Sequence, residues 1–159
     1  IKPILLTNSK LKELQSNLLL FYTDITRKAS SILTEQTKNT KVSKNVRDNL
    51  KLMSSTAYQL YNDLNKGNIN LMGDYLNEAW QRKKSLASNI SNQEIDYMYQ
   101  TAMKSGAKGG KLLGAGGGGF LLLYVPTENH QEVRKSLKNY RELPFNFDFD
   151  GTKIIFNDK

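Results

Sequence analysis

Lys111-Leu-Leu-Gly114-Ala-Gly116-Gly-Gly-Gly119-Phe120-Leu-Leu-Leu-Tyr124-Val125 is the stretch from which the rest of the chain is read. Five of the protein's eleven glycines crowd into six positions here, directly before an apolar run closed by Pro126. That run, continuous and partly aromatic, reads as a buried strand. Glycine at such density costs backbone entropy, so it persists where a side chain would block a close approach or could not follow the backbone. The guest that uses bare backbone amides is a phosphate group, held in a concave nest of N–H donors. A flexible hairpin loop is the alternative, and its stiff apolar flanks weigh against it.

The spacing Gly114-x-Gly116-x-x-Gly119 formally matches a dinucleotide fingerprint. That fingerprint needs a helix after the glycines, and here a strand follows. A Walker loop fails as well, because Gly110-Lys111 is followed by Leu112, and Ser105 stands where the first glycine belongs. A phosphate role therefore belongs to a strand–glycine loop–strand geometry.

The 159 residues are one domain's worth, 38% apolar and 24% charged, as in an ordinary globular protein. No apolar run reaches the roughly 18 residues of a membrane span, and no signal peptide is evident, so no membrane association is expected. Cysteine is absent. Disulfide and thiol chemistry are thereby excluded, and a reducing, cytoplasmic location is the expectation. The formal charge of +8 suits anionic partners, including small phosphorylated ligands. There is no block of basic residues and no basic–aromatic ladder, so nucleic acid is not an expected partner. The opening Ile1-Lys-Pro-Ile4-Leu5-Leu6 reads as the middle of a strand, and a piece of a longer protein is expected.

Leu18–Tyr22 reads as another apolar strand. Thr23 or Asp24 could cap a following helix that turns Ile25, Ala29, Ile32 and Leu33 inward, with a polar loop over Thr37–Lys41. Val42, Val46, Leu50, Met53, Ala57, Leu60, Tyr61 and Leu64 recur at helical spacing until Gly67-Asn68. A third helix carries Leu71, Tyr75, Leu76, Ala79 and Trp80, and a fourth opens on the capping box Ser91-Asn-Gln-Glu94 and ends at Ser105-Gly106. Thr127 can cap a short helix through Val133 and Leu137. The alternation Phe145-Asn-Phe147-Asp-Phe149-Asp150, a turn at Gly151 and Lys153–Phe156 predict a closing hairpin. The expected class is α+β, an antiparallel sheet with a cluster of about four to five helices.

No catalytic set assembles from these residues. His130 sits in a polar helix start and reads as solvated, no His pair has zinc spacing, and Asp148 and Asp150 read as a wet strand face rather than metal ligands. What remains is anion handling. Lys104, Lys108 and Lys111 approach the glycine loop; Arg82, Lys83 and Lys84 follow Trp80 in the third helix; Arg27 lies one turn into the first helix. Trp80 itself reads as core.

Gly109-Gly-Lys111-Leu-Leu-Gly114-Ala-Gly116-Gly-Gly-Gly119-Phe120 closely resembles the C-terminal glycine motif of the small-molecule kinases named for galactokinase, homoserine kinase, mevalonate kinase and phosphomevalonate kinase. Leu18–Arg27 (LLLFYTDITR), Asn77–Ser85 (NEAWQRKKS) and Leu143–Phe156 (LPFNFDFDGTKIIF) resemble, within that superfamily, the sugar kinases acting on D-glycero-D-manno-heptose 7-phosphate. The resemblance implies that residues 1–159 form the family's ferredoxin-like C-terminal domain. The N-terminal half, with its Pro-x-x-x-Gly-Leu-Ser-Ser-Ser motif and acidic catalytic residue, is not found in this sequence. It implies transfer of the ATP γ-phosphoryl group, with Mg²⁺, to a phosphorylated heptose that feeds surface-polysaccharide synthesis. ATP and Mg²⁺ would be bound chiefly by the N-terminal half, and no catalytic residue is expected in this fragment. Gly114, Ala115, Gly116, Gly117, Gly118 and Gly119 are implied to support the phosphate loop, and Thr23, Arg27, Arg82, Lys83 and Lys111 to meet the substrate. Asp24 stands where the family has a small residue, often glycine. The implied partners are the sugar phosphate, ATP and the N-terminal kinase domain, with the oligomeric state open, a homodimer included. A non-catalytic module that keeps the fold and binds a sugar phosphate or a protein is the alternative.

Overall fold

Leu18–Tyr22 (β1), Gly109–Leu112 (β2) and Phe120–Tyr124 (β3) form one antiparallel sheet, in the order β1-β3-β2, in the computed structural model of the chain, which describes residues 3–149. β3 is the central strand and both faces of the sheet are covered, which is why its sequence is an unbroken apolar run. Strand alternation sends Leu19, Phe21, Leu121 and Leu123 into one core with Trp80, Ile90, Ile95 and Met98. Leu18 and Tyr124 face a second core with Leu14, Leu64, Ile69 and Leu76.

Among the described residues, six helices surround this sheet: Asn8–Ser16 (α1), Ala29–Val42 (α2), Lys44–Asn65 (α3), Met72–Lys84 (α4), Gln93–Lys104 (α5) and His130–Ser136 (α6). Beyond α6, Glu142 bridges Phe21 on the free edge of β1. Tyr22 N donates to the Arg141 carbonyl at 2.8 Å, and Leu143 N donates to the Leu20 carbonyl at 2.8 Å. The sheet thus has the ferredoxin-like order, with its fourth position reduced to a single bridge, and the expected α+β class holds.

Several local expectations are corrected. Phe145–Phe149 forms no strand. The Gln15 side-chain amide takes the place of a neighbouring strand, donating to the Phe145 carbonyl at 3.0 Å and accepting from Phe147 N at 2.9 Å. Asp150, the turn at Gly151 and the returning strand Lys153–Phe156 lie outside the described residues. Residues 3–6 form no strand; the first element is α1, whose N-cap Thr7 accepts from Lys10 N at 3.3 Å. With only Leu11 and Leu14 apolar, α1 has no stripe that periodicity could detect.

Neither Thr23 nor Asp24 caps a helix. The Thr23 hydroxyl is bonded to the Gly119 carbonyl, and α2 starts at Ala29 with no side-chain cap. Thr37–Lys41 is helical, and Leu33 is about half exposed, at 48%. Apart from buried Ile32, α2 is pinned by polar side chains: Asn39 Nδ2 donates to the Leu86 carbonyl, and Glu35 accepts from Ser88 N. Val42 is exposed at the junction where Ser43 ends α2 and caps α3. The α5 cap is Asn92, which accepts from Ile95 N at 3.0 Å, while Ser91 donates to Asp96. Thr127 lies in a short 3-10 turn without a capping bond. His130 is half-buried, its Nε2 3.0 Å from the Val125 carbonyl oxygen, rather than solvated.

The one-residue bridge at Glu142 is reinforced from α6. Arg134 donates to both Glu142 oxygens, at 2.7 and 2.8 Å, and these bonds hold the carboxyl below its ordinary 4.5. A depressed carboxylate contributes stability that is complete above the unfolded value and lost as pH falls through the folded one. Glu142→Gln is therefore expected to lower the urea midpoint at neutral pH, with the gap to wild type closing in strongly acid buffer. A gap independent of pH would show that the carboxylate charge is irrelevant to the bridge.

Candidate functional site

Leu113–Gly119 joins β2 to β3 and is held from two sides by backbone. Gly117 N donates to the Ile90 carbonyl at 2.8 Å, and Gly119 N to the Ile25 carbonyl at 2.9 Å. The Gly119 carbonyl accepts from Thr23 N at 2.9 Å and from the Thr23 hydroxyl at 3.0 Å. The chain reaches this position because Asp24, at φ +56, turns it sharply out of β1. The loop is a fixed turn rather than a flexible hairpin.

Two amides are consumed by this anchoring. Among the described residues, the amides of Gly114, Ala115, Gly116 and Gly118 donate to no protein group. A pocket of about 210 Å³ opens between Ala115–Gly119 and the segment Ile25–Ala29. It is bordered by Arg27, which is exposed, and by the first residue of α2. The first amides of a helix lack intrahelical partners and carry the positive end of its dipole. Loop amides, helix start and guanidinium all favour one kind of guest, a compact anion. A larger cavity of about 670 Å³ lies at the other end of the sheet beside Tyr124. There the Tyr124 hydroxyl accepts from Asn17 and donates to Asn70.

The cations divide by environment. Arg82 binds Glu78 through Nε and Nη2 at 3.1 and 3.0 Å and reaches Asn49 at 3.4 Å, joining α4 to α3. Lys84 pairs with Asp96 at 3.2 Å, its Nζ 5.9 Å from the Trp80 ring centre. Lys83 donates to the Gly114 carbonyl at 2.5 Å. Burial, then the charge of Lys111, pushes the Lys83 ammonium pKa down. Lys108 does not approach the loop. The four residues of β2 carry the chain roughly 13 Å, which leaves Lys108 in the cavity beside Tyr124. Lys104 closes α5 and is exposed. Trp80 is fully buried, as expected of core. Thr23 is buried, with its hydroxyl committed to the loop, which makes it a support of the glycine turn.

Among the described residues, no three His, Asp or Glu side chains gather as a metal site, and no helix is long and apolar enough to cross a membrane. The groups that fix the loop, the carbonyls of Ile25 and Ile90, left no mark in the sequence, because any residue supplies a carbonyl. The start of α2 was equally hidden, since Lys28 is no capping residue.

Residues 60–142 match the model of the family described as GHMP kinases C terminal. The chain is similar to a D-glycero-alpha-D-manno-heptose 7-phosphate kinase of Campylobacter jejuni, 28% identical over 154 residues, covering 96% of this chain and 44% of the relative. Among solved structures it is similar to a Listeria innocua protein, with a TM-score of 0.73 at 18% identity over 81% of this chain and 38% of that one. It is also similar to the L. major mevalonate kinase, with a TM-score of 0.65 at 24% identity over 77% of this chain and 37% of that one. At these identities the two structures speak for the fold. The chain spans less than half the length of each of these proteins.

Proposed function

Because the chain belongs to the GHMP kinases' C-terminal domain family, we propose that residues 1–159 are that domain of an ATP-dependent kinase whose acceptor is a heptose phosphate. The single observation that carries the chemistry is the anchored glycine turn: two amides tied into the fold and four left without protein partners, of which Ala115, Gly116 and Gly118 line the pocket beside Arg27 and the start of α2. Phosphoryl transfer needs little covalent help from a protein. It is accelerated by positioning and by fixed donors aimed at charge that develops on the phosphoryl oxygens. A turn already fixed by the Ile25 and Ile90 carbonyls loses little further freedom when it receives such charge. Backbone N–H donors left without protein partners suit a phosphate oxygen.

The N-terminal half of the complete enzyme is assigned the ATP purine and ribose, the Mg²⁺ and the acidic catalytic residue. Mg²⁺ bound there would neutralise phosphate charge; this domain's part is to close over the acceptor and the transferring group. A location in the cytoplasm, where ATP is available, follows from the same reading. The complete enzyme is expected to transfer phosphate from ATP to D-glycero-D-manno-heptose 7-phosphate in preference to hexose phosphates, measured by ADP release across a panel of both. Binding of the heptose phosphate without ADP release would instead favour a non-catalytic module.

A further inference from the structure

We propose that Lys83 and Lys111 form a second anion seat, at the Gly114 end of the glycine turn, which takes the phosphate monoester already present on the acceptor sugar. The choice of an acceptor phosphate rests on the kinase reading above; the existence of the seat rests on the side chains themselves.

Three consecutive cations close α4, and they have different surroundings. Arg82 and Lys84 each have a carboxylate, from Glu78 and Asp96. Lys83, between them, points the other way along the helix surface, toward β2. It has no acidic partner among the described residues; the residue is half-buried as a whole, and its ammonium donates at an exposed position to the neutral Gly114 carbonyl. The charge that acts on it is Lys111, of the same sign. Lys111, half-buried on β2, likewise has no carboxylate partner among the described residues. Two cations that repel each other beside low-dielectric protein make an incomplete arrangement, which a dianion would complete.

The space and the remaining donors are in the same place. Nothing lies within 4 Å of where a Gly114 side chain would begin. The Gly114 and Ala115 amides are without protein partners among the described residues. The Gly114 carbonyl, which would repel an anion, is covered by the Lys83 ammonium. A monoester dianion at this point would meet two ammonium groups and two N–H donors. It would adjoin, at Ala115, the pocket at Arg27, Gly116 and Gly118, whose lining does not include Gly114. A turn with one anion seat at each end suits two partners that both carry phosphate.

The test uses the complete protein labelled with ¹³C-lysine and titrated separately with inorganic phosphate, mannose 6-phosphate, mannose and ATP. Inorganic phosphate and the sugar phosphate should shift the Lys83 and Lys111 ε-carbon signals together with one dissociation constant, and mannose should not. Lys111→Gln should weaken the Lys83 response at least about tenfold, Lys83→Arg should preserve the Lys111 response, and Lys135→Gln on α6 should leave both unchanged. In the turnover assay, Lys111→Gln should raise KM for a phosphorylated acceptor about tenfold or more and leave KM for ATP unaltered. Signals that respond to ATP but not to the sugar phosphate would overturn the assignment, as would unchanged phosphate affinity in the double variant Lys83→Gln/Lys111→Gln. If no sugar is phosphorylated by the wild type, the kinase reading fails alone, and the phosphate titration still decides the seat.

Discussion

Gly117→Val in the complete enzyme is expected to reduce phosphoryl transfer at least about a hundredfold, the loss seen when a fixed donor to developing charge is misplaced. Gly117 has φ +78, a conformation that a β-branched residue adopts only under strain. Its added Cβ would stand 2.7 Å from Ile32 Cδ1 and 3.1 Å from the Asn89 carbonyl oxygen. Ile32 can shift, but the Asn89 backbone belongs to the segment whose next carbonyl, Ile90, holds the Gly117 amide. The turn must therefore move away from that segment, and the unpaired amides on either side of Gly117 move with it. The strain is confined to one turn between paired strands, so the stability cost is about 1–3 kcal/mol and the domain should still fold. Steady-state turnover combined with thermal unfolding separates the two effects. Unchanged turnover in a folded variant would remove the turn from the reaction.

The fold was legible where apolar spacing alone determines an element. β1, β3, α3, α4 and α5 each carry a run or stripe that packs against one of the two cores, and the helix stops at Gly67 and Gly106 coincide with positive φ. It was illegible where polar side chains do the holding. α1 and the second half of α2 are fixed by Thr7, Glu35 and Asn39, and the segment at Phe145–Phe147 by Gln15. Strict alternation at Phe145–Phe149 did not make a ladder there, where a side-chain amide takes up the backbone groups of Phe145 and Phe147. In the site, the glycine turn was conspicuous and its two anchoring carbonyls were invisible. Composition likewise gave every cation equal standing; only the placement of Glu78 and Asp96 separates Arg82 and Lys84 from Lys83.

Gly109→Ala is expected to be the most destabilising single-methyl change in this domain. α4 crosses β2 so closely that a Cβ on Gly109 would lie 1.8 Å from the Gly73 carbonyl oxygen and 2.7 Å from its carbon. Both atoms are backbone, so no rotamer change relieves the contact and the helix must move off the sheet. α4 contributes Trp80 to one core and Leu76 to the other, and lifting it loosens both. Overpacking of this kind costs about 3 kcal/mol or more, which in a domain of this size lowers Tm by about 6–12 °C. Gly67→Ala is the control: Gly67 also has a positive φ, +84, but nothing lies within 4 Å of its missing side chain. That variant should lose only the backbone contribution, about 1 kcal/mol. The difference between the two melting temperatures therefore measures the helix–sheet contact itself, and equal losses would mean that α4 does not rest on β2 at this distance.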